Sequence, residues 1–140
     1  MLDRHEEFRS RRDRLLSAIG TGVAVFRSAP VVRMHADVHY PYRQDSDFYY
    51  VTGFNEPEAV AILAPQHPEH QFVLFVQPKD RHAEMWSGRR LGVEAAIGAL
   101  AADAVYPIDE LDQHLAAYLK TGDRIFYRLG NDPAFEQRLL

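Results

Sequence analysis

Residues 40–60, YPYRQDSDFYYVTGFNEPEAV, crowd aromatic, charged and turn residues together more densely than any other part of the chain. A stretch written only for solubility, or only for burial, does not mix them this way. Pro41 biases Tyr40 toward an extended conformation, because the proline ring clashes with a helical residue before it. Ser46 then suits the N-cap of a short helix over 47–52, with Asp47 at the positive end of its dipole. Gly53 supplies the residue beyond it that can take positive φ. A helical turn holding Phe48, Tyr49 and Tyr50, with Phe54 just past its end, has to be wedged into a core. Asn55, Glu56 and Pro57 turn the chain into the apolar run AVAILA at 59–64.

That run and a second, QFVLFV at 71–76, flank a turn rich in Pro and His, the pattern of a β-hairpin. Further strands are predicted at 22–26, broken by Ser28, Ala29 and Pro30, at 105–106, closed by Pro107, and over RIFYR at 124–128. Between them lie helical patterns. Asp3 and Glu6 form a capping-box pair ahead of an apolar stripe of Phe8, Leu15, Leu16 and Ile19, which Gly20 ends. Residues 93–101 are Ala-rich, and 109–120 carry Leu111, Leu115, Tyr118 and Leu119 at helical spacing. Asp132 and Pro133 open a last helix bearing Phe135, Leu139 and Leu140. Alternating strands and helices in 140 residues give one α/β domain. The closing FEQRLL presents an apolar face with nothing to cover it, so the chain is expected to be one domain of a longer protein.

The charge balance narrows the partners. A net charge of -4 argues against a nucleic-acid surface, and Arg9, Arg11, Arg12 and Arg14 are read as a solvated face interleaved with Glu6, Glu7 and Asp13. No apolar stretch approaches the length of a membrane span, and the N-terminus lacks the apolar segment of a signal peptide. The absence of cysteine excludes thiolate chemistry and fits a reducing cytoplasm, the expected location.

Catalytic signatures are missing. His35, Asp37 and His39 share one face if extended, a spacing that metal sites use, but a closed site needs a further ligand and short strings of this kind arise by chance. No metal site is therefore assigned. His67 and His70 are read as exposed loop residues, and His5, His82 and His114 receive no role. No serine sits in a nucleophile elbow, and no glycine-rich phosphate loop exists. AEMWSGRRLG at 83–92 leaves two readings open for the only tryptophan, Trp86. It either plugs the edge of the core or, with the neighbouring guanidinium groups, is offered to a partner or ligand.

These two stretches, 40–60 and 83–92, together with EFRSRRDRLL and GVAVF, resemble the N-terminal domain of bacterial Xaa-Pro aminopeptidases, within the wider creatinase and prolidase group. The resemblance implies a three-layer fold, a mixed β-sheet with helices on both faces. A separate C-terminal metallopeptidase domain of the pita-bread type is expected to follow it. That absent domain would hold two divalent metal ions, commonly manganese, on Asp, Glu and His ligands. It would remove an N-terminal residue preceding proline. The present chain would then be non-catalytic and inactive alone, supporting a homo-oligomer, dimer or tetramer, and lining the substrate cleft. Trp86 stands at the position of the family's cleft-lining tryptophan, and Asp37 at the matching acidic position before YPYRQ. Arg43 lies in the core of the resemblance, with a cleft role and a buried ion pair to Asp45 or Asp47 both open. The alternatives are a domain of a prolidase or creatinase relative, or a peptide- or protein-binding module without catalysis.

Overall fold

The computed structural model describes residues 4–31, 42–128 and 133–139. The two apolar runs do form a hairpin: β2 (Val60–Leu63) and β3 (Phe72–Val76) pair antiparallel, with Ile62 opposite Val73. All nine residues of these strands are buried, which is why both read as continuous apolar runs rather than alternating ones. β1 (Val23–Arg27) pairs antiparallel to β2, and β4 (Ala104–Pro107) and β5 (Ile125–Phe126) add parallel to β3 and β1. The resulting mixed sheet has the order β4-β3-β2-β1-β5.

Because successive strand residues point to opposite faces, the hairpin supplies two cores at once. Ala61, Leu63, Leu74 and Val76 face one side, where α1 (Arg4–Ile19), α2 (Ser46–Thr52) and α4 (Val93–Leu100) contribute Leu16, Phe48, Val51 and Ala96. Val60, Ile62, Val73 and Phe75 face the other. There Leu111, Leu115 and Tyr118 of α5 (Leu111–Leu119) and Phe135 of α6 (Pro133–Leu139) cover them, so the closing apolar face, expected to lack a cover, packs on the sheet through Phe135 and Leu139. The expected helix over 109–120 begins as a 3-10 turn, Ile108–Glu110, before α5 proper. α3 (Arg81–Ser87) buries nothing.

Several local expectations are corrected. The N-cap of α2 is Asp45, not Ser46: its carboxylate accepts from Phe48 N at 2.9 Å. Gly53 does close α2 at φ 70°, and a Cβ there would lie 2.6 Å from the Phe8 ring, so both the turn and the α1–α2 contact need glycine. Phe48 and Phe54 are buried as expected, whereas Tyr50 is exposed, beneath the Arg11 guanidinium at 4.4 Å. The basic face of α1 is not wholly solvated, because Arg12 is 4% exposed. Its guanidinium donates to Val51 O at 3.0 Å and Leu100 O at 3.3 Å and lies 4.2 Å from the Phe72 ring. Those carbonyls belong to the last turns of α2 and α4, which lack partners within their own helices and carry negative partial charge. Burial lowers the Arg12 pKa to about 10, so it stays charged at neutral pH.

The histidines also differ from expectation. His67 and His70 are half-buried and stack on each other, and His70 Nδ1 lies 3.0 Å from the Tyr118 hydroxyl. His114 is half-buried too, stacked on Tyr106 with ring centroids 3.9 Å apart. Strand β5 is only two residues long, and both Ile125 and Phe126 are more than two-fifths exposed at the sheet edge.

Candidate functional site

Between β3 and α4 the chain leaves the sheet, forms α3 and returns. Asp80 starts the helix by accepting from His82 N at 3.0 Å and Ala83 N at 3.1 Å, and Gly88 ends it at φ 93°. Trp86 is on this helix. It is 83% exposed and its neighbour Met85 is 80% exposed. The reading of Trp86 as a plug for the core edge is therefore overturned.

An exposed tryptophan of this kind needs a rigid mount to be useful, and polar bonds supply one. Glu84 Oε1 accepts from Arg90 N at 2.7 Å and Lys79 Nζ at 3.0 Å, while its Oε2 accepts from Asp80 N at 3.1 Å. The Arg90 N–H, with the Lys79 ammonium, holds the Glu84 carboxyl down to about 2. Arg90 Nη1 donates to Pro78 O at 3.2 Å, closing the neck of the excursion a second time. Gly92, at φ 84°, ends it; a Cβ there would meet Lys79 Cγ at 2.7 Å.

The mount is tied to the aromatic stretch by Glu56, whose Oε2 accepts from Leu91 N at 2.9 Å. Burial raises the Glu56 pKa, and Glu56 Oε1 and Arg90 Nε are buried side-chain atoms with no hydrogen-bond partner among the described residues. The carbonyl of Glu56 is held in turn by Gln44. This buried amide donates from Nε2 to Glu56 O at 2.9 Å and Phe54 O at 3.2 Å, and its Oε1 accepts from Ala29 N and Asp45 N. The Tyr42 hydroxyl lies 2.6 Å from Ala29 O and 2.9 Å from Gln44 Oε1, and burial pushes it up to about 12.

Arg43 is exposed on the rim of a shallow depression shared with Arg11, Tyr42, Tyr49, Tyr50 and Asn55. A buried ion pair with Asp45 or Asp47 does not form: Asp45 caps α2, and Asp47 faces Arg128 at 3.6 Å in an exposed pair. From Gln44, next to Arg43 in the chain, bonds run through Glu56 to Leu91 N, and from the adjoining Arg90 N to Glu84 on the helix that carries Trp86. Asp37, with His35 and His39, lies outside the described residues. Among the described residues no group of three His, Asp or Glu could hold a metal ion. A depression of about 620 Å³ at the end of β1 contains Ser28, Asp45, Asp47 and Glu58, and among the described residues no histidine lines it. Ser28 Oγ there already accepts from Ala59 N at 2.8 Å. Among its described residues nothing forms a nucleophile with a base.

Sequence reasoning missed Gln44, Glu56 and Glu84. Asp80 followed four residues later by Glu84 was a usable signal, a capping box displaced by one position. Gln44 had none, because the bonds that bury it run to backbone groups of Ala29, Phe54 and Glu56, 10 to 15 residues away.

Residues 8–127 match the family model described as aminopeptidase P, N-terminal domain. The Xaa-Pro aminopeptidase of Escherichia coli is 42% identical over 127 residues, spanning 89% of this chain and 29% of the relative. That of Haemophilus influenzae is 37% identical, over 87% of this chain and 29% of the relative. The solved structure of Pseudomonas aeruginosa aminopeptidase PepP superposes with a TM-score of 0.90 at 40% identity, over 96% of this chain and 31% of that one. The chain thus spans about three-tenths of the length of the proteins it resembles.

Proposed function

Because the chain belongs to the aminopeptidase P N-terminal domain family, we propose that it serves as the non-catalytic N-terminal domain of a Xaa-Pro aminopeptidase. Its catalytic partner is a C-terminal metallopeptidase domain, whose two divalent ions, manganese in this reading, supply the activated water that cleaves the bond before proline. The present chain contributes surface rather than chemistry. Trp86 forms part of the rim of the substrate cleft in an assembly of subunits working in the cytoplasm, and Arg43 and Asp37 serve the same rim.

The observation that carries this reading is the exposure of Trp86 on a mount built from ionic and backbone hydrogen bonds. Water-exposed tryptophan gains nothing for folding, whereas a rigid flat aromatic ring is well suited to closing over a peptide or a neighbouring subunit. The net charge of -4 favours a protein or peptide contact over nucleic acid.

The test is hydrolysis of an Xaa-Pro peptide with added Mn²⁺. Turnover is expected from the longer polypeptide carrying both domains and none from the 140-residue chain. Metal-dependent turnover by the 140-residue chain would overturn the non-catalytic assignment.

A further inference from the structure

Resting on the reading of Trp86 as a rim contact, we propose that Glu84 is the positioning residue that presents it. α3 has seven residues and buries none of them, so neither length nor apolar packing orders it. Its orientation has to come from polar bonds at its ends. The three donors that Glu84 accepts lie on both sides of the excursion: Lys79 and Asp80 before the helix, Arg90 after it. One carboxylate therefore closes the entry of the excursion onto its exit.

Helical geometry links that closure to the tryptophan. Residues two apart on an α-helix are separated by roughly 200° around its axis. With the Glu84 side chain turned inward, 11% exposed, Trp86 is carried to the opposite, solvent side. If Glu84 let go, α3 could rotate or fray and the indole would lose its fixed direction. The clasp does not float, because Leu91 N, next to Arg90, is held by Glu56, and Glu56 O by Gln44. The depressed pKa of Glu84 agrees with this geometry: the group stays ionised at neutral pH.

Trp86 is the only tryptophan of the chain, so its fluorescence anisotropy decay reports α3 alone. Glu84→Gln preserves shape but sets an amide donor against donors. It is expected to lower the residual anisotropy of Trp86 and weaken its near-UV circular dichroism while leaving the far-UV spectrum intact. In the two-domain peptidase the same substitution is expected to raise KM for an Xaa-Pro peptide by roughly tenfold, with kcat much less affected, the scale of losing one good aromatic binding contact. That increase should vanish in a Trp86→Ala background. Unchanged anisotropy in Glu84→Gln would overturn the proposal, whatever the kinetics. Lost anisotropy combined with a silent Trp86→Ala would uphold the clasp and instead remove the rim reading. Should Glu84→Gln lose its far-UV spectrum, Lys79→Met decides. It keeps the stem over Gly92, deletes one donor and must shift the anisotropy in the same direction, failing which the proposal falls.

Discussion

Arg12 shows how a position can be legible where a residue is not. Phe8, Arg12, Leu15, Leu16 and Ile19 follow the 3.6-residue period of an inward stripe, yet the guanidinium suggested solvent. Its two bonds to helix-end carbonyls and its contact with Phe72 let a charge occupy a core position, with Asp13 and Asp103 adding only longer-range attraction. Arg12→Met is expected to fill much of the space but leave Val51 O and Leu100 O without their charged donor. The loss should be about 2–3 kcal/mol, measured by urea unfolding. Gln44 is the polar counterpart. Gln44→Glu would turn a carboxylate oxygen toward Phe54 O and Glu56 O, where an amide now donates, and is expected to lower the melting temperature more at pH 7 than at pH 4. Neither role was visible beforehand, because the carbonyls that each donates to are backbone atoms brought within reach only by the fold.

At the scale of elements, punctuation and periodicity carried the reading well. Gly20 and Gly53 ended the helices they were expected to end, both at positive φ, and the runs at 59–64 and 71–76 paired as a hairpin. α3 escaped because it has no apolar stripe; bonds across its neck organise it instead. Those bonds have a pH signature. The Glu84 pKa is depressed from 4.5 to about 2, so its contribution is complete above pH 4.5 and is lost as pH falls toward 2. Trp86 emission is expected to hold steady from neutrality to pH 5 and change between pH 4.5 and 2. The part of that change due to the clasp should be missing in Glu84→Gln. A transition centred near pH 6 would point to a histidine instead.

For the molecule as a whole, the fold was legible because both faces of one hairpin needed covering, and the surrounding helical patterns could supply the covers. Leu74 and Ile62 stand at the middle of those two faces, each fully buried. Replacing either by alanine is expected to cost about 2–5 kcal/mol in a single cooperative transition. The site was legible only through resemblance, and the bond between Glu56 and Leu91 N explains why the stretches at 40–60 and 83–92 belong together: one is the anchor of the other. What remained hidden was that the tryptophan faces water, since composition cannot say which way a short helix turns. The assignment of this domain as a cleft wall is tested most directly by comparing steady-state hydrolysis of an Xaa-Pro peptide by the two-domain enzyme and its Trp86→Ala variant, with oligomer size measured alongside. A fall in kcat/KM of roughly tenfold or more is expected, the cost of removing a well-placed aromatic contact. Unchanged kinetic constants with an unchanged oligomer would contradict it.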